Sequence, residues 1–258
     1  MIRLVFVNAL YSYKALFNWN TPELYVLQKV MYPLVQLSFF VLIGAFGGAQ
    51  PVSFYLVGNC MVVAFRPMFA VTRAIAEERS GGTLPYLVAT PASRLLLFFG
   101  RAVFNVIDGM FDIALAFFFA TLVFGLALPP SGWPGMFLAV FTASFAAAGL
   151  GFFLGAVAYV VLDAGALGNT MMFALLLLTG ANVPLAQLPG AVRALGEALP
   201  LTHTIAAARL YAAGADVAAG LPLLGSDLVL GAIWGLGGFA LFSYFEVQAR
   251  RRGTLEGL

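Results

Sequence analysis

Few residues in this chain could take part in chemistry, and the most suggestive are Asn105, Asp108 and Asp112. Side chains four apart share one face of a helix, so the two carboxylates would stand side by side with Asn105 close to them. Paired carboxylates can hold magnesium on a phosphate, but such a site needs a second acidic group, and only Asp163 is placed to offer one. Other chemistries lack their parts. Cys60 is the single cysteine and His203 the single histidine, which excludes an internal disulfide, a HExxH zinc helix and a Cys/His metal cluster. The only lysines, Lys14 and Lys29, follow no glycine-rich turn, so the chain has no Walker A loop. No GxSxG elbow is present, and His203 has no serine at an evident local spacing. Cys60 and His203 read as packing or capping residues.

The elements that must position these residues follow from composition. Of 258 residues, 62% are hydrophobic and 9% charged. A soluble domain needs about a quarter of its residues charged. The apolar residues fall in blocks of roughly twenty, each long enough to cross about 30 Å of hydrocarbon. The chain is therefore expected to be an all-α integral membrane protein. Six spans are expected, near residues 24–44, 54–73, 101–124, 135–162, 167–183 and 225–245, with Thr21-Pro22 opening the first. Residues 1–20 mix apolar and aromatic side chains with Arg3 and Lys14 and read as an interfacial amphipathic helix. Residues 21–258 then form one domain of six spans.

Within this frame Asp112 lies about 15 Å along its helix from Ala102, and Arg66 about 12 Å from Ala74. They are level. We expect Arg66 to pair with Asp112 or Asp108, which keeps the charges ionised without exposing them to lipid.

Basic residues favour the cytoplasmic side. Arg73, Arg79 and Arg94 lie in one connection, and Arg3, Lys14 and the triplet Arg250-Arg251-Arg252 flank the termini. With six spans these fall on one side, opposite two connections without charge, so both termini are expected in the cytoplasm. The net charge of +2 is too small to suggest a nucleic-acid partner. In the cytoplasmic connection, 72–94, Glu77 and Glu78 end a helix, Gly81-Gly82 turn the chain, and Thr83 can cap a short helix before Thr90-Pro91. The outward connection, 184–224, alternates apolar stretches with Pro184, Pro189, Pro200 and Pro222. Its segments 191–199 and 202–213 are too short to span and are expected as short helices that dip into the outer leaflet or cover the membrane domain.

These two connections together resemble those of the membrane subunit of a type-2 ATP-binding-cassette exporter. The cytoplasmic pattern appears as Glu78, Gly82, Thr83, Leu84, Leu87, Thr90, Pro91 and Arg94, with Pro85 where the family usually has glutamate. The outer pattern appears as Pro184, Leu188-Pro189-Gly190, Leu199-Pro200-Leu201-Thr202, Arg209 and Gly214. The resemblance implies a bacterial inner-membrane permease without catalytic residues, cofactor or metal of its own. It implies a separate nucleotide-binding ATPase in two copies, carrying the ATP and magnesium, and a second permease subunit, identical or homologous. It places ATPase docking at Glu77, Glu78, Arg79, Gly82, Thr83, Leu84 and Arg94. It also places an outer gate around Pro184, Pro189, Pro200, His203 and Arg209 and implies outward movement of a compound; Phe145, Phe152, Phe153 and Phe173 could line an apolar path, and such aromatic richness suits a hydrophobic or amphipathic cargo. The alternatives are an ATPase-independent transporter, a membrane scaffold, or a magnesium-dependent prenyltransferase, which the Asn105–Asp112 run partly resembles. Glu77-Glu78 resemble the paired glutamates of intramembrane CAAX proteases, without the histidine partners.

Overall fold

The computed structural model describes residues 21–47, 50–80, 94–161 and 163–252, which are helical apart from turns and short connections. The expected interfacial helix, residues 1–20, lies outside the described residues. Helix α1 is Pro22–Gly47. Thr21 caps it: its hydroxyl accepts from the amide of Leu24 at 3.4 Å and its carbonyl from that of Tyr25 at 3.0 Å.

The expected second span is two helices, α2 (Val52–Val62) and α3 (Phe65–Ser80), separated by a turn at Val63-Ala64. Pro67 explains the break. It has no amide to give the Val63 carbonyl, and its ring crowds that oxygen; the amide of Arg66 takes the carbonyl instead, at 3.0 Å.

Helix α4 runs Arg94–Phe124, so Arg94 starts a helix rather than ending a loop. A single 3-10 turn, Pro130–Gly132, leads into α5, Trp133–Val161. Helix α6, Ala164–Leu178, is apolar but only 15 residues, about 22 Å, and stops short of the expected Val183. Gly180 adopts φ +80°, a backbone that glycine enters without a Cβ clash, and the Asn182 side-chain amide donates to the Leu176 carbonyl at 3.1 Å. These ends turn the chain out of the helix.

A 3-10 turn at Leu185–Gln187 follows, then α7 (Gly190–Ala198), α8 (Thr202–Ala212) and α9 (Val217–Arg252). The two short helices stand where the sequence places them. The connection ends earlier than Leu224, however, because α9 begins at Val217 and takes in Pro222. Pro222, in the second turn, leaves the Ala218 carbonyl without its i+4 amide, and the helix continues through it.

Among the described residues, five helical stretches are long and apolar enough to cross a membrane: Pro22–Gly47, Val52–Ala76, Val103–Phe124, Pro130–Ala158 and Val217–Phe245. The core lies around α5, whose main neighbours are α9 and α3. Its small residues bring backbones into contact. A Cβ on Gly149 would lie 2.1 Å from the Gly231 carbonyl oxygen, and one on Gly151 would lie 2.5 Å from that of Met68. On the outside, α1 exposes Val35, Phe39 and Phe46, and α9 exposes Ile233 and Leu236. Helices with large apolar side chains turned outward suit lipid rather than water.

Candidate functional site

Four charges meet where α1, α3 and α4 come together. Lys29 of α1 places Nζ 2.7 Å from Asp108 Oδ1 and 2.7 Å from Asp112 Oδ1, both on α4. Arg66 of α3 brings Nε to 3.2 Å from the other oxygen of Asp112. It also donates through Nη1 to the Gln28 carbonyl at 3.2 Å. The Tyr25 hydroxyl donates to Asp108 Oδ1 at 2.7 Å. Aromatic rings close the cluster: Lys29 lies 5.3 Å from the Tyr25 ring and 5.7 Å from Phe111, and Arg66 lies 5.6 Å from Tyr32.

The close approach has local causes. Gly109 lies between the two aspartates in sequence, and a Cβ there would come within 2.5 Å of Pro67 Cγ. The proline that breaks the second span therefore also marks the contact that brings α4 against α3. The carboxylates share one helical face, as their spacing predicts. Two cations against two anions leave the cluster neutral, which is the condition for burying charge in an apolar setting. The side chains of Lys29 and Asp112 are 4% and 1% exposed, those of Arg66 and Asp108 20% and 26%.

This arrangement does not favour magnesium. Lys29 occupies both carboxylates, and Asp163 instead caps α6, accepting from the Ala166 amide at 2.8 Å. Among the described residues, no group of three or more His, Cys, Asp and Glu could hold a metal ion. Asn105 is half-buried one turn before Asp108.

Of the expected docking residues, Glu77, Glu78 and Arg79 occupy the last turn of α3 and Arg94 the first of α4. The structure does not describe their side-chain surroundings. Gly82, Thr83 and Leu84 lie outside the described residues, as does the short helix expected after Thr83.

The expected gate residues lie around α7 and α8. Pro184 precedes the 3-10 turn, Pro189 precedes α7, and Pro200 lies in the turn before α8. Arg209 donates from one guanidinium nitrogen to the carbonyls of Phe54, Gly180 and Ala181 at 3.2, 2.9 and 3.1 Å, with the Phe54 ring centroid 3.5 Å from its central carbon. Burial lowers its pKa to about 10, which leaves it charged at neutral pH. His203 Nδ1 lies 3.0 Å from Asp227 Oδ1 on α9.

Lys29 and Asp227 were missed by the spacing argument, although both are ionisable residues inside expected spans. So was the amide pair in which buried Asn59 donates through Nδ2 to Oδ1 of half-buried Asn182 at 2.8 Å. The aromatic Phe153, a candidate for lining a path, packs edge-on against Trp234 with centroids 4.8 Å apart. It belongs to the α5–α9 contact.

Long apolar helices, outward apolar faces and a neutralised charge cluster define a multi-pass α-helical membrane protein. Residues 7–211 match the model of the ABC-2 type transporter family, well over half of the chain. The chain belongs to the ABC-2 type transporter family and is a membrane-spanning ABC transporter permease. Membership implies pairing with a nucleotide-binding ATPase subunit. Comparison with curated proteins finds no match.

Proposed function

We propose that the chain is the transmembrane half of an ATP-driven exporter that moves a hydrophobic or amphipathic compound out of the bacterial cytoplasm. Two copies of the permease, or this chain and a homologue, would face each other, with two ATPase subunits below them. In this reading α6, with the turn that follows, completes a six-span set, both termini are cytoplasmic, and α7 and α8 sit at the outer face as re-entrant or covering helices.

The observation that carries the proposal is the course of α3. This helix holds Arg66 in the charge cluster and continues to Ser80, about 21 Å further along. It ends where segment 81–93 begins, the region whose sequence resembles an ATPase docking site. A push delivered around Glu77, Glu78, Arg79, Gly82, Thr83, Leu84 and Arg94 would travel along one rigid element to α1 and α4. Basic residues on this side and uncharged connections opposite support the orientation. The aromatic richness of the spans supports an apolar or amphipathic cargo.

The test pairs the permease with a soluble Walker A ATPase, sought as the product of an adjacent gene or by co-purification. A Thr83→Cys variant should cross-link to that protein, and vesicles carrying both should take up a lipophilic fluorescent dye only with ATP. Failure to cross-link or co-purify, together with ATP-independent uptake, would reject the reading in favour of a secondary transporter.

A further inference from the structure

Helix α8 has no cap of its own. The residue before its first turn, Leu201, has no side chain to accept a hydrogen bond and sits at φ +81°, the only positive φ outside glycine among the described residues. Such a conformation costs an L-residue about 1–2 kcal/mol, so the surrounding contacts must impose it. Leu201 is fully buried, and the Thr202 hydroxyl donates to the Gly196 carbonyl of α7.

The missing cap comes from another helix. Asp227 of α9 is 0% exposed and accepts from the Thr204 amide through Oδ2 at 2.7 Å. A carboxylate at the N-terminus of a helix satisfies a free amide and complements the helix dipole. Its other oxygen meets His203, whose side chain remains 25% exposed. Seven residues further along α9, the Trp234 indole donates to the Ala198 carbonyl at the end of α7, at 3.1 Å. Thus α9 grips both short helices from one face. At the far end of α8, Arg209 holds the backbone at Phe54, Gly180 and Ala181. Helix α8 is a strut tied at one end to α9 and at the other to α2 and the turn after α6.

We propose that His203 and Asp227 form a proton-sensitive latch that sets how firmly α8, and with it the cap made by α7 and α8, is held to α9. The protonated imidazolium gives Asp227 an ionic partner; neutral imidazole leaves only a hydrogen bond. The direction of the His203 pKa agrees: the hydrogen bond to Asp227 raises it above the ordinary 6.5, against an opposing effect of burial. A raised folded-state value means that the stabilisation is complete below about pH 6.5 and is lost as pH rises through the higher value. The other charges facing the site from its neighbours are few. Glu197 of α7 acts in the same direction and is itself paired with Arg193 at 2.8 Å, while α2 and α5 bring no charged side chain to α8. That the latch sits on the outer face rests on the orientation proposed above; its existence does not.

Hydrogen exchange of the full chain in lipid nanodiscs, which expose both faces, separates the two questions. After correction for intrinsic rates, the first-turn amides of α8 should exchange on the order of tenfold more slowly near about pH 5.5 than near about pH 8, the factor that about 1.4 kcal/mol carries. His203→Gln, which keeps a hydrogen-bonding side chain without a titrating ring, should exchange alike at both. Asp227→Asn should lose protection at the lower pH. An unchanged pH difference in His203→Gln, or none in the native chain, would overturn the latch. In sealed liposomes, a response to internal rather than external acid would invert the orientation and leave the latch standing.

Discussion

Replacing Lys29 with methionine, which keeps the length of the stem and deletes the charge, tests whether the four-charge cluster holds α1 to α3 and α4. The native cluster is neutral. Without Lys29 it carries one uncompensated negative charge, because Arg66 reaches only Asp112. Removing one partner of a buried ion pair costs about 3–5 kcal/mol. Asp112 keeps Arg66, and Asp108 is 26% exposed and keeps the Tyr25 hydroxyl, so the loss should fall near the lower limit, about 3 kcal/mol. The double variant Lys29→Met with Asp108→Asn is neutral again and should recover about half of that. Unfolding in mixed micelles of increasing sodium dodecyl sulfate, followed by the three tryptophans, measures both. If Lys29→Met lies within about 0.5 kcal/mol of the native chain, or the double variant is no more stable than the single, charge balance is not what holds the site.

Gly149→Ala would put a Cβ 2.1 Å from the Gly231 carbonyl oxygen and force α5 and α9 apart, at about 1–3 kcal/mol by the same unfolding measurement. Arg209→Lys keeps a charge but loses the planar fork and the stacking on Phe54, and should destabilise the connection between α6 and α9 by about 2 kcal/mol. Limited proteolysis should then show faster cleavage between α6 and α7, and a native rate would remove the bracing role.

How much of this could be read from the sequence depended on the kind of partner each group finds. Asp108 and Asp112 could be placed on one face by their spacing, and Arg66 at their depth by counting along helices, because charges in an apolar layer must meet other charges. Lys29 obeys the same rule but lies near the start of its span, where a long side chain can as easily turn back to water; only packing decided that it turns inward. Asp227 stands two residues inside its expected span, where its short carboxylate could equally have lain in the connection before it. Arg209 finds backbone carbonyls, and no residue type announces a carbonyl. The short helices α7 and α8 could be foreseen from proline and glycine punctuation. The break before Arg66 could have been foreseen too, since Pro67 stands inside the apolar run, whereas the early end of α6 required Gly180 to be weighed against an apolar stretch that continues past it.

The two kinds of contact also divide the molecule by how readily it could rearrange. Where Gly149 meets Gly231 and Gly151 meets Met68, backbones touch directly, so α3, α5 and α9 cannot slide without a collision of main-chain atoms. Packed in this way they should move as one body. Helix α1 is held differently, by Lys29 and Tyr25 at one end and by Gly44 under the Tyr55 ring at the other, while much of its remaining surface faces outward. Side-chain contacts of that sort can exchange partners; Lys29 already serves two carboxylates one helical turn apart on α4. A force applied to the end of α3 would therefore move the glycine-packed block as a unit and fall first on the charge cluster. If the permease alternates between two states, the smallest rearrangement available is a shift of Lys29 along the Asp108–Asp112 face, which keeps the cluster neutral throughout.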